Sequence, residues 1–318
     1  MNRPNDLDPQ KPGTDKSQPR PATWKLLLAF GIIYFVWGST YLAIRIGVRE
    51  VPPLLLAAMR FFIAGAVLFA WMRVKGTPLP TRREWASISV VAILTFVLDY
   101  GLLFWAERRV ASGIAAVILA TIPLFMALCE IVFLRTERLT VRLAFALAIG
   151  LAGVAVLVSP ARGGVDPYGA IALLIAAGSW AIASALLRKL PLPASKPMSS
   201  AAQMLVGGVW LAVASTALGE FRGFDALAVS RAAWLALAYL IVFGSIIAYT
   251  AYVWLLHHES QTKVGTYAYV NPVVAVAIGY FFGGEAVGQR TVVGTLLVLV
   301  SVVVITTTRR TVVVSEQG

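Results

Sequence analysis

Two ionisable side chains lie inside long apolar runs of this sequence. Asp99 sits in VVAILTFVLDYGLLFW and Arg60 in LLLAAMRFFIAG. A charge within hydrocarbon is costly, so it takes a partner, water or a function. Asp99 lies about six residues, roughly 9 Å, from the end of its run, and Arg60 lies at similar depth in the preceding one. Sequential antiparallel helices would let the two meet as a structural ion pair. Alternatively, Asp99 faces a cavity, where it couples proton movement or binds a substrate amine. These readings compete, because a proton carrier must hold its proton near neutrality and an arginine neighbour works against that.

A second set of residues offers rings, hydroxyls and amides at helical spacing. Tyr34, Trp37 and Tyr41 fall at i, i+3 and i+7 of one run, with Gly38, Ser39 and Thr40 among them. Ser245, Tyr249 and Tyr252 share a face in another run, and Tyr267, Tyr269 and Asn271 follow in the next. Ser179, Trp180 and Ser184 occupy a fourth, and Tyr100 stands beside Asp99. Polar and aromatic groups of this kind line a cavity or pack helices together, and both readings stay open. Trp85, Trp105, Trp234 and Trp254 fall at run ends, where tryptophan anchors a helix at the membrane surface. Pro123 and Pro272 are interior to apolar runs, where a missing N–H kinks a helix into a hinge or a static bend. Glu107, Glu130, Glu137 and Glu285 lie near run ends and read as solvated termini with loop partners.

Other chemistries lack their residues. The single cysteine, Cys129, admits no internal disulfide and reads as a small buried hydrophobe. The two histidines, His257 and His258, are adjacent in a polar connection, and no metal-binding spacing occurs. No GxxxxGK[ST] loop exists to cradle a nucleotide. A membrane-embedded enzyme needs a convergent acid, base, nucleophile or metal set, which this sequence does not supply. No cofactor is implied.

The elements that must position these residues follow from composition. Of 318 residues, 59% are hydrophobic and 13% charged, with mean hydropathy +0.80. So few charges cannot cover a soluble surface, whereas a surface facing lipid needs none. A hydrocarbon core about 30 Å thick takes roughly 20 apolar residues per helix. Ten spans result, near 24–44, 54–72, 85–105, 111–134, 141–160, 168–187, 199–218, 232–254, 264–282 and 291–308. Residues 1–22 read as a disordered cytoplasmic tail and 310–318 as a second tail. The net charge of +12 belongs to short connections rather than to a basic stripe, which argues against nucleic-acid binding. Lysine and arginine concentrate on the side of the N-terminus, so both termini are expected in the cytoplasm.

The chain also repeats itself. A shift of 143 carries Trp37 to Trp180, Arg45 to Arg188 and Gly65 to Gly208. A shift of 149 carries Trp85 to Trp234, Tyr100 to Tyr249, Trp105 to Trp254 and Pro123 to Pro272. A shift of 148 carries Glu137 to Glu285 and Arg142 to Arg290. The fold class expected is therefore an all-α integral membrane protein of ten transmembrane helices, built as two inverted five-helix repeats, 23–160 and 161–309. An odd helix number per repeat inverts the second copy. That is a recurring plan of secondary transporters, with the substrate near the midplane between the copies. Asp99 and Arg60 have no charged counterparts in the second copy, where Ala248 and Gln203 stand.

Several stretches resemble the EamA family of the drug/metabolite transporter superfamily, in particular its YedA-like branch. They are Trp37-Gly38-Ser39-Thr40-Tyr41 through Arg45, Met59-Arg60-Phe61, and Ala106-Glu107 through Ser112-Gly113-Ile114-Ala115-Ala116 to Pro123-Leu124-Phe125. Phe243-Gly244-Ser245, Tyr267-Ala268-Tyr269-Val270-Asn271-Pro272 and Gly284-Glu285 complete the set. The resemblance implies a bacterial inner-membrane carrier that exports amino acids, small metabolites or drugs, with uptake or exchange as alternatives. It also implies a central cavity lined by the first, third, fourth, sixth, eighth and ninth helices, with protons as a candidate coupling ion. The expected cavity residues are Trp37, Gly38, Ser39, Tyr41, Asp99, Tyr100, Trp180, Ser184, Tyr249, Tyr252, Tyr267 and Asn271. Pro123 and Pro272 are the expected gating kinks. Where YedA-like members commonly carry a small or amide residue in the third helix, this chain has Asp99-Tyr100, so substrate identity does not carry over directly from them. Oligomeric state has no signature in the sequence.

Overall fold

The computed structural model describes residues 21–129, 131–132, 140–158, 165–187, 189–259, 264 and 266–307. The terminal tails, Glu130, Glu137 and Arg188 lie outside the described residues. Within them the protein is helical. The helices are α1 (Thr23–Val48), α2 (Pro53–Val74), α5 (Val141–Val158), α6 (Pro167–Leu186), α7 (Lys196–Ala217), α9 (Tyr267–Gly283) and α10 (Gln289–Thr307). Three more are composite. α3 joins Arg82–Ala92, a π-helical stretch Ile93–Tyr100, and Gly101–Ala106. α4 comprises Ser112–Leu119 and Ile122–Cys129, and α8 joins Arg231–Tyr239, a π-helical stretch Leu240–Ile247, and Ala248–His258. Eight of these are long and apolar enough to cross a membrane, and Tyr267–Gly283 and Gln289–Val304 are shorter apolar helices. The ten expected spans are present. One boundary differs, because α8 runs on through His257 and His258 rather than leaving them in a connection.

Local chemistry sets the ends. Pro52 and Pro53 start α2, where a missing N–H costs nothing. Thr81 and Glu84 form a reciprocal capping box for α3, and Asp166 and Ser195 cap α6 and α7. Gly284 ends α9 in the left-handed conformation, with φ 63°.

The two sets of five helices interlock. α2 packs along α7, and α5 along α10. α1 lies against α8 and α9 of the second half, while α6 lies against α3 and α4 of the first. Exchanging each helix with its repeat mate maps this set of contacts onto itself, as a duplicated chain requires. Gly65 and Gly208 are such mates. A Cβ on Gly65 would strike the Leu205 backbone, and one on Gly208 the Phe62 backbone, so α2 and α7 cross with main chains in contact. Large apolar side chains such as Phe35, Phe145, Phe281 and Phe282 face outward, as lipid permits. We call the face where α1 ends and α2 begins the distal face.

Candidate functional site: an aromatic seam and a sealed distal face

The two π-helical stretches are also repeat mates, and each widens its helix by a residue. A π stretch breaks the i→i−4 ladder and is frequent at functional sites. In both, a side chain from the opposite half takes up a carbonyl. Trp37 Nε1 on α1 donates to the Gly244 carbonyl of α8 at 3.0 Å. Ser179 Oγ on α6 donates to the Leu94 carbonyl of α3 at 2.8 Å. α1 and α6 are thus keyed into the irregular turns of α8 and α3.

Aromatic rings gather at both joints. Trp37 lies 5.3 Å from Tyr252 and 5.0 Å from Tyr267, and those two tyrosines are 6.0 Å apart. At the mated joint Trp180 lies 6.2 Å from Tyr100, which stacks on Phe96 at 5.9 Å. Tyr249 follows at 6.4 Å from Tyr252. Edge and tilted contacts of this kind stabilise by about 0.5–1.5 kcal/mol beyond burial. The carbonyls of Tyr34 and Tyr267 assign the amide orientation of Asn271, whose nitrogen then donates to both at 3.2 Å and ties α9 to α1. Tyr34 bonds Thr266 at 2.6 Å, and Ser39 bonds Tyr239 at 2.6 Å. Tyr41 packs, partly buried, against the apolar core. Gly38 is a packing position, since a Cβ there would lie 2.6 Å from Val274. Ser184 is half-buried one turn beyond Trp180.

Arg60 and Asp99 do not form the expected pair. Both are buried, yet Arg60 Nε donates to Ser245 Oγ at 3.0 Å, and Asp99 Oδ1 has no hydrogen-bond partner. Arg60 instead lies over rings, 4.7 Å from Phe61 and 5.5 Å from Tyr100. The π-helical stretch is the physical reason. It ends just past Asp99, so directions extrapolated at 3.6 residues per turn miss where that side chain points. The repeat-mated prolines also differ. α4 is interrupted at Ala120 and Thr121 just before Pro123, whereas α9 continues through Pro272.

Glu107 and Glu285, expected as solvated ends, are instead covered: Glu107 is 1% exposed and the Glu285 side chain 6%. Glu285 accepts from Ser112 N at 2.8 Å, Ser112 Oγ at 2.7 Å and Gly113 N at 3.1 Å, and pairs with Arg45 at 3.2 Å. α4 has no capping side chain of its own at Ala111, so Glu285 supplies an anion to its N-terminus from the other half. Glu220 does the same for α2, accepting from Leu54 N and Leu55 N. Glu50 accepts from Ser230 N and Oγ at the start of α8. Those two bonds hold its carboxyl below the usual glutamate range. Three glutamates therefore stitch the halves together at one face. Arg45 also donates to the Val110 carbonyl at 2.9 Å. The residues gathered here, Arg45, Glu107, Ser112, Gly113 and Glu285, are among those that carried the family resemblance, and that was the signal available in the sequence. Arg45, Arg49, Arg109, Asp166 and Glu285 line a recess of about 330 Å³ at this face.

Ten apolar helices in two interlocked halves, with aromatic and polar groups from both halves meeting at the seam, define a multi-pass membrane transporter. The chain belongs to the EamA-like transporter family, whose model matches residues 15–159 and 167–307. It is 41% identical over 270 residues to the uncharacterized inner membrane transporter YedA of Escherichia coli strain K12, covering 83% of this chain and 86% of that one. The WAT1-related protein At3g02690, chloroplastic, of Arabidopsis thaliana is 27% identical, covering 88% and 68%. A solved crystal structure shares the fold with a TM-score of 0.60 at 24% identity, covering 88% of this chain and 96% of that one. The protein is accordingly a transporter of the inner-membrane type and not an enzyme.

Proposed function

We propose that the protein is a secondary carrier that exports small metabolites, amino acids or drugs by alternating access, with both termini in the cytoplasm and the distal face outward. The observation that carries this reading is the seam. α1 and α6 each pack on the opposite half, and Trp37, Tyr252, Tyr267, Tyr100 and Trp180 converge there. A solute held between the halves would be exposed to alternate sides as they rock. The distal glutamates fit a conformer closed to the outside. At the other face α3 is capped locally by Thr81 and Glu84, and α7 by Ser195. Without a nucleotide-binding loop, ion or substrate gradients supply the energy.

The test is a thermal-shift screen of amino acids, nucleosides and cationic drugs on purified protein, followed by flux in vesicles of both orientations. A ligand that binds only the folded state raises its stability by mass action. Stabilisation by a ligand that then moves outward supports the reading. No flux of any stabilising ligand in either orientation would sink it.

A further inference from the structure

Glu107 is the residue that the seam and the distal seal leave unexplained. It follows α3 directly, one residue beyond the span Arg82–Ala106, and is only 1% exposed. Neither carboxyl oxygen has a hydrogen-bond partner. An ionised carboxylate buried without hydrogen bonds is strongly disfavoured, and burial, then the nearby Glu285, push this carboxyl well above the usual range against the opposing pull of Arg45 and Arg60. The groups facing it are Arg45 and Tyr41 from α1, Arg60 from α2 and Glu285 beyond α9. Arg45 is already engaged by Glu285 and the Val110 carbonyl. Arg60 donates from Nε to Ser245 and lies over the rings of Phe61 and Tyr100, while its buried Nη1 has no hydrogen-bond partner. On its own segment Arg108 and Arg109 are exposed, and Arg109 faces Asp166 at 4.0 Å.

We propose that Glu107 is a proton-binding site of the carrier, holding its proton while Glu285 engages Arg45 and releasing it when Arg45 turns from Glu285 to Glu107. This rests on the carrier reading above. In the step, the carboxyl O–H bond breaks heterolytically, the electron pair stays on the Glu107 oxygen, and the proton passes to water admitted as the distal face opens. Arg45 exchanges one carboxylate for another, and the released proton leaves one more negative charge at the site, with Glu285 still held by the Ser112 and Gly113 donors. Opening the distal face is thereby tied to a proton, and Asp99, two turns deeper, is not the coupling residue.

The test is infrared spectroscopy of the full chain in lipid nanodiscs, titrated from acid to alkaline pH without substrate. The expected result is a protonated-carboxyl band that persists above the ordinary glutamate range. Carboxyl-13C glutamate shifts this band in the wild-type protein, which needs no variant to fold. The band is lost in Glu107→Gln and kept in Asp99→Asn. In Glu285→Gln, Arg45 is free to pair with Glu107, so the midpoint falls by about one pH unit or more, a tenfold change in proton affinity. A band that glutamate labelling does not shift, or a midpoint unmoved in Glu285→Gln, overturns the proposal. Absence of the band refutes the proton site and leaves the carrier reading standing. The band in a protein without flux refutes the carrier and leaves the site.

Discussion

Glu285→Gln is expected to loosen the distal face without unfolding the protein. The wild-type carboxylate takes three hydrogen bonds and one ion pair, and glutamine keeps one acceptor oxygen for Ser112 or Gly113. Hydrogen bonds to a charged group contribute about 1.5–3 kcal/mol, against about 0.5–1.5 for neutral ones. Losing the charge therefore costs about 2–3 kcal/mol. Arg45 is 24% exposed and Glu285 6%, so solvent screening trims this toward the lower figure. At about 1.4 kcal/mol per factor of ten, the open population rises roughly 10- to 100-fold. Ile114 lines the recess and makes a suitable reporter. In a Cys129→Ala background, Ile114→Cys should react with a membrane-impermeant maleimide at least about 10-fold faster when Glu285→Gln is added, given that energy. An unchanged rate in correctly folded protein would refute the idea that these bonds hold the face shut.

Three further outcomes follow from the structure. Gly65→Ala should lower the melting temperature, at a cost of about 1–3 kcal/mol for forced overpacking, while Gly31→Ala, with nothing within 4 Å of the new Cβ, should not; equal effects would contradict the α2–α7 contact. Trp37→Phe removes the donor to the Gly244 carbonyl and leaves that oxygen without this partner, so a loss of about 1–3 kcal/mol in stability is expected by thermal unfolding; full wild-type stability would mean that the π-helical turn does not need α1. The Glu50 carboxyl is held low by Ser230, so its contact is present above the unfolded glutamate range and is lost as pH falls through the lowered value. Hydrogen-exchange protection of the Ser230 amide should drop on acidification and be insensitive to it in Glu50→Gln; identical pH profiles in the two proteins would contradict the assignment.

Much of this architecture was legible in the sequence, for identifiable reasons. The spans could be read because each helix is apolar all round, and the duplication because Trp, Tyr and Pro recur at nearly constant shifts. The aromatic joint was foreseeable in part, since Trp37 and Tyr41, and Tyr249 and Tyr252, share faces at helical spacing. The Arg60–Asp99 pairing failed because nothing in ILTFVLDY announces a π-helical turn. The distal glutamates were misjudged because position near a helix end was taken to mean solvent. Burial at an end depends on which other helix ends cover it, and Glu107 and Glu285 are covered by α1 and the start of α4. That is a long-range fact, fixed by residues up to 173 positions apart.

The distal stitching bears on how the chain is made. α2 and α4 emerge from the ribosome early, but the carboxylates at their N-termini, Glu220 and Glu285, belong to the part synthesised last. Until then several backbone N–H groups at the ends of two membrane helices must be served by water or lipid headgroups. The first half is therefore an assembly intermediate rather than a finished module. Segments 1–160 and 161–318, expressed separately, should be short-lived alone and persist when made together, with pulse-chase lifetimes as the measure.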